Sequence, residues 1–329
     1  MASNVRIADH RSPIEGMDWS FHSYLNRRVS ENARHITGDD VPDYAYGMDY
    51  ELRKKLDAIP GLHSLATKMY MTLATTALQE LNRNAVAVTP TQFPDVYDMA
   101  CDCARRLGIA VPNVFISSSH GVLNASAYCV DDVQPVIKIY SSLYERLTPG
   151  ELKAIIGHEC GHIQNNHAVY ENIANMIANV GINGIGLRYP ALAAILSQST
   201  VIALSAWSRA AEVTSDRAGM ICADDPEDAH RADAKLMYGA TFKEQEIDFD
   251  ALQQQLKQQM GNVVKYGEIL DSHPSGVRRI MAGKEFAECA VFYDWRPDLK
   301  KPDTVLRSKE ECDTRCKAYI SLTSNKGAR

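Results

Sequence analysis

The sequence predicts an α+β fold, mostly helical with a small sheet. Three observations point there. Short β-like stretches cluster between Val114 and Ile139. Helical apolar spacing dominates on both sides of that cluster. A cleanly capped helix begins at Thr148 and carries two histidines four residues apart, His158 and His162.

Composition sets the frame for these elements. A chain of 329 residues has room for about two domains of ~150 residues. Hydrophobic residues make up 45% and charged residues 23%, the balance of a globular protein rather than a disordered one. The net charge of −6 lacks the basic excess of a nucleic-acid binder, so no nucleic-acid partner is expected. The eight cysteines are too sparse for a disulfide scaffold and read as reduced thiols. Residues 1–16 have no apolar core of the secretory kind, and the expected location is cytoplasmic.

Taken in order, residues 1–48 are polar with scattered aromatics and read as an N-terminal arm. Residues 49–92 form a helical N-terminal region, broken at Pro60-Gly61. Residues 94–107 read as a helix with Gly108 as its C-cap. Val114–Ser117, Asn124–Val130 and Pro135–Ile139 follow as strands. Thr148, Pro149 and Glu151 then form a capping box for the next helix. The run Tyr189–Ser208 is uncharged but holds six serine, threonine or glutamine residues and opens near Pro190. A buried or amphipathic helix is favoured over a membrane-inserted one. A helix over Thr200–Cys222, an acidic loop (ADDPEDAHRAD) and helical segments to about Glu288 come next. Residues 291–329 are a charged C-terminal extension, within which Ser308–Cys312 is expected to be exposed.

The chemistry concentrates at His158-Glu159-Cys160-Gly161-His162. On a helix, positions i and i+4 share a face, so two imidazoles can converge on one zinc. Glu159 sits beside them, placed to reach an activated water rather than the metal. The plain alternative is two surface histidines. A catalytic zinc needs a third protein ligand. Glu212 is the candidate, fifty residues after His162 in SRAAEVTSDRAG. Asp216 follows on the same helical face, spaced to hold a histidine ring through its other nitrogen.

These residues resemble peptidase family M48, a gluzincin family. Three further pieces carry the likeness. Asn124-Ala125-Ser126-Ala127 is similar to the family's NAxA strand. Leu143 through Leu147, Thr148, Glu151 and Leu152 are similar to its approach to HExxH. Asp271-Ser272-His273-Pro274-Ser275 with Arg279-Ile280 is similar to its HPxxxxRI segment. The resemblance implies a zincin-like metallopeptidase domain over residues 93–290, mostly helical with a small mixed sheet, and one Zn2+ per chain. It implies His158, His162 and Glu212 as zinc ligands and Glu159 as general base. His273 would be an oxyanion donor, Asn124–Ala127 a strand that pairs with substrate, and Asp216 a support to a ligand. Arg279 would pair with a carboxylate near the site, Asp216 being one candidate.

The expected activity is that of a zinc endopeptidase in quality control or held latent. The alternative is a zinc-binding, chaperone-like protein that keeps the fold. Partners are peptide or protein substrates, with membrane association not favoured. The third position of the NAxA strand, often aromatic in the family, is Ser126. The remaining residues take plain readings. His167 is off the ligand face and expected to be solvated or capping. His120 is expected in a turn, His230 exposed, and Cys160 as a small apolar core residue. The arm and the extension are each candidates to cover the cleft.

Overall fold

The computed structural model describes residues 35–37, 41–118, 121–129, 134–238, 248, 251, 254, 276–304 and 306–321. Helices dominate, around one mixed four-stranded sheet, as the α+β reading expected. The elements are α1 (Gly47–Asp57), α2 (Leu62–Asn84), β1 (Ala85–Ala87), α3 (Pro94–Leu107), β2 (Asn113–Ser117), β3 (Ala125–Tyr128) and β4 (Val136–Tyr140). Then come α4 (Ser141–Arg146), α5 (Pro149–Gln164), α6 (Ala168–Arg188), α7 (Pro190–Ala193), α8 (Gln198–Cys222) and α9 (Glu227–Tyr238). The last are α10 (Gly276–Phe286), α11 (Ala290–Trp295) and α12 (Lys309–Ile320).

The described residues fall in two compact units. The first draws on residues 1–43, 68–168 and 215–241. Its sheet runs β1-β2-β4-β3, with β2 and β4 parallel and the outer pairs antiparallel. β3 is therefore an edge strand, in register with β4 through Ala125↔Ile139 and Ala127↔Ile137. β1 is a short edge strand that the sequence pattern did not announce, because three residues carry no readable alternation.

Helix α5 is buried along almost its whole length, packed against α3, α9 and β3. The predicted capping box is present: Thr148 Oγ1 accepts from Glu151 N at 3.3 Å, and Glu151 Oε2 accepts from Thr148 N at 2.7 Å. The buried Glu151 carboxylate is neutralised by Lys235 of α9, 2.8 Å away. An unpaired charge there would be costly.

Small residues let α5 approach the C-terminal part of α8. A Cβ on Gly157 would lie 2.4 Å from Cys222 Cβ, and one on Gly161 2.7 Å from Ala218 Cβ. A Cβ on Gly219 would lie 2.9 Å from the Ala154 carbonyl oxygen. Three glycines thus fix the spacing of the two helices that carry the candidate ligands.

Two expectations for this unit are corrected. The acidic stretch read as a loop is helical from Glu227, because Asp225 Oδ1 accepts from Glu227 N at 3.0 Å and Pro226 precedes the first turn. On that helix His230 is buried rather than exposed, with Nδ1 3.3 Å from Glu227 Oε2.

The second unit draws on residues 44–67, 169–214 and 242–329. Tyr46, Ala210, Val213, Ala282, Cys316 and Ile320 form a buried cluster, joining α8, α10 and α12. Within Ser308–Cys312, Ser308, Glu310 and Glu311 are exposed as expected, whereas Cys312 is buried. Ser308 Oγ caps α12 by accepting from Glu311 N, and Cys312, Cys316 and Ile320 repeat every four residues as a narrow apolar stripe. The uncharged run Tyr189–Ser208 is broken into α7 and the start of α8. No helix among the described residues is long and apolar enough to cross a membrane. Helix α8 is continuous; its residues to Thr214 belong to this unit and those from Ser215 to the first.

Candidate metal centre

His158 and His162 sit one turn apart on α5, and their Nε2 atoms lie 3.0 Å apart. His158 Nδ1 is 2.9 Å from Asp216 Oδ1 on α8. With the carboxylate accepting a hydrogen bond from Nδ1–H, His158 presents an Nε2 lone pair. Glu212 stands one turn before Asp216 on the same helix and is 3% exposed. One ligand atom each from His158, His162 and Glu212 lies within 4.8 Å of the others.

This arrangement passes a test of fit for zinc. Two imidazoles and a carboxylate are a zinc donor set. Tetrahedral ligands at ~2.0–2.1 Å stand about 3.3 Å apart, close to the observed nitrogen separation. Lone pairs converging at that distance need a cation or a shared proton between them.

Glu159 is buried, 7% exposed, next to His158 in sequence. Burial raises the Cys160 thiol well above its ordinary value, with the Cys103 and Glu159 charges adding to the effect. Cys160 is thus a protonated apolar core residue, as expected.

Arg279 meets a carboxylate near the site, as expected. Its Nη1 lies 3.3 Å from Glu212 Oε2, so the guanidinium meets the proposed ligand itself. Asn124 precedes β3, where its Oδ1 accepts from Ala125 N at 2.9 Å and its carbonyl accepts from Tyr140 N at 3.1 Å. Ala125, Ser126 and Ala127 lie along the edge strand, which packs beside α5. His273 and His120 lie outside the described residues.

His167 departs from its expected solvated or capping place. His167 is fully buried, and its Nδ1 is 3.1 Å from His162 Nδ1 and 3.4 Å from Ser215 Oγ. Helical periodicity placed it off the ligand face, but α5 ends at Gln164. His167 N donates to His162 O at 3.1 Å and Asn166 N to Ile163 O at 3.3 Å, with Asn166 left-handed at φ 54°. Those two bonds make a Schellman turn, which folds the second residue beyond the cap back onto the last turn. The Asn165-Asn166 pair after the helix was the available signal.

A protein named "Plastoglobule-localized metallopeptidase 48, chloroplastic", from Arabidopsis thaliana, is 29% identical over 220 residues, 66% of this chain and 62% of that protein. "Protease HtpX homolog 1" from Sulfurisphaera tokodaii is 39% identical over 88 residues, 26% of this chain and 28% of that protein. A "Protease HtpX homolog" from Bifidobacterium longum is 24% identical over 174 residues, 46% of this chain and 56% of that protein. The chain thus spans less than two thirds of the length of each of these relatives. No solved structure matches. The family model described as "Peptidase family M48" matches residues 90–287, well over half of the chain, and the chain belongs to that family.

Proposed function

We propose that the protein is a zinc-dependent endopeptidase acting on extended segments of peptide or protein substrates. The observation that carries this is the convergence of His158, His162 and Glu212 within 4.8 Å of one another, with Asp216 behind His158. Zinc held there supplies Lewis-acid chemistry, acidifying a water and polarising a carbonyl oxygen. In this reading Glu159 takes the proton of the attacking water and later gives it to the leaving amine. Asp216 holds the His158 ring, and Arg279 orients the Glu212 carboxylate and tempers its charge. β3 lies at the edge of the sheet among the described residues, and a substrate backbone adds to the sheet there through main-chain hydrogen bonds. His273 donates to the developing oxyanion. The catalytic domain spans residues 93–290.

A Glu159→Gln variant tests this reading. One zinc per chain is expected in wild type and in Glu159→Gln, and none in His158→Ala or Glu212→Ala. Peptide hydrolysis falls by about 10²–10⁴ in Glu159→Gln if the carboxylate is the base. Turnover that survives the change overturns the role of Glu159. A zinc-loaded wild type that cleaves no peptide favours the chaperone-like reading instead. A cytoplasmic location is proposed with the activity; recovery of the full chain with membranes on fractionation overturns it.

A further inference from the structure

We infer that His167 is a positioning residue: its Nδ1 accepts a hydrogen bond from His162 Nδ1–H and so fixes that ring for metal. This rests on the reading of His162 as a ligand.

The two proposed histidine ligands have different supports. His158 leans on a carboxylate, Asp216, at 2.9 Å. His162 leans on a second imidazole, with the two Nδ1 atoms 3.1 Å apart. A neutral imidazole carries one proton, so a ring that binds metal through Nε2 must hold its proton on Nδ1. His162 Nδ1–H then has His167 Nδ1 as acceptor, and His167 is set as its Nε2–H tautomer. The alternative, with the proton on His167 Nδ1, would place the His162 proton on Nε2 and block the metal-binding lone pair.

The backbone builds this contact. The Schellman turn at Asn165-Asn166 places His167 two residues past the helix cap, which is where such turns bring a side chain back onto the last turn. The residue it meets there is His162. The rings stand edge to face, centroids 5.1 Å apart at 80°. His167 also meets Ser215 Oγ at 3.4 Å, one residue before Asp216. His167 Nδ1 has one lone pair, and the nearer donor to it is His162 Nδ1–H at 3.1 Å rather than the Ser215 hydroxyl at 3.4 Å. Full burial of His167 excludes water as a competing acceptor. An imidazole acceptor draws less electron density onto His162 than a carboxylate would, so the pair gives the metal one strong and one weaker nitrogen donor.

The test compares His167→Phe with His167→Asn in the full chain. Phe keeps a ring of similar size and removes the acceptor. Asn places its Oδ1 on the same third atom out from Cα as the histidine Nδ1. Zinc affinity is read by chelator competition, Co2+ ligation by its visible spectrum, and folding by the melting temperature of the zinc-free protein. The expected result is a loss of about 10–100-fold in zinc affinity for Phe, a shifted Co2+ spectrum, and substantial recovery with Asn. Wild-type affinity in both variants overturns the inference. An equal loss in both also overturns it, because packing alone would then account for the effect. Should either variant fail to fold, wild-type zinc protein decides by nitrogen-15 NMR of the imidazoles. A proton on His162 Nδ1, coupled across the hydrogen bond to His167 Nδ1, supports the inference; a proton on His167 Nδ1 overturns it. A wild-type chain that binds no zinc overturns the ligand reading itself, before any His167 variant is made.

Discussion

Thr214 Oγ1 donates to Asp49 Oδ2 at 2.7 Å, joining the first turn of α1 to α8 midway between Glu212 and Asp216. The same oxygen accepts from Tyr46 N at 3.1 Å. Asp49 is 3% exposed, and α8 holds the proposed ligand Glu212 two residues earlier. Helix α1 is thereby fastened to the helix that carries the proposed ligand Glu212 by a hydroxyl that both donates and accepts.

Thr214→Val keeps the shape and removes both bonds, leaving the Asp49 carboxylate oxygen and Tyr46 N without that partner. A buried polar group deprived of its partner costs about 1–3 kcal/mol. Thermal unfolding should show a stability loss in that range. An unchanged melting temperature would mean the bond contributes nothing net.

The glycine contact between α5 and α8 makes a second case. A methyl at Gly161 would lie 2.7 Å from Ala218 Cβ, closer than real Cβ atoms come, and a tight 3.0 Å from Ser215 Cα. Gly161→Ala should therefore push the helices apart and cost about 1–3 kcal/mol by overpacking. Zinc affinity should fall with it, because the push falls on the helix that carries Ser215 and Asp216. Adding Ala218→Gly relieves the nearer clash, and the double variant should recover part of both losses. A single variant as stable as wild type would show that the spacing is not set there.

Asn166 supplies a third. It is left-handed, with φ 54°, a conformation that Gly and Asn adopt readily and β-branched residues do not. Asn166→Gly should leave stability and zinc affinity near wild type. Asn166→Val should lower both, since the Schellman turn that folds His167 onto His162 is then strained. Equal behaviour of the two variants in calorimetry and chelator competition would show that the turn does not need this residue.

The contrast between what was and was not readable follows from the range of each signal. HExxH and the capping box are local patterns with a fixed period, so His158, Glu159, His162, Thr148 and Glu151 could be placed from spacing alone. Asp216 followed from a second helical spacing. His167 lies past the end of its helix, where periodicity no longer applies and a left-handed residue redirects the chain. Arg279 could be expected near a carboxylate, but which one depends on the packing of α10 against α8. The helix at Glu227 was legible in the Asp-Pro-Glu-Asp start, and the acidic composition hid it. The apolar stripe of α12 is only three residues wide in a charged segment, too thin to stand out from sequence.

Acid stability gives the last prediction. Asp102 of α3 meets Lys153 Nζ at 2.5 Å and Arg106 Nε at 2.9 Å, and Lys153 Nζ also meets Asp224 Oδ1 at 2.7 Å. Burial raises the Asp102 carboxyl, but the Lys153 hydrogen bond and the Arg106 and Lys153 charges outweigh it and hold it below its ordinary 3.8. Asp224 is lowered by the same partners against the same opposing burial, but its side chain is 66% exposed and solvent screens it. A carboxylate whose folded value lies below its unfolded one adds stability above the unfolded value and loses it as pH falls through the folded one. Asp102→Asn should therefore lower the melting temperature near neutral pH. The gap to wild type should begin to close as pH falls toward 3.8 and continue to close below it, where wild-type Asp102 also becomes neutral. A gap that stays constant across that range would assign the loss to packing of the amide rather than to charge. A gap that widens on acidification would reverse the sign and refute the pairing.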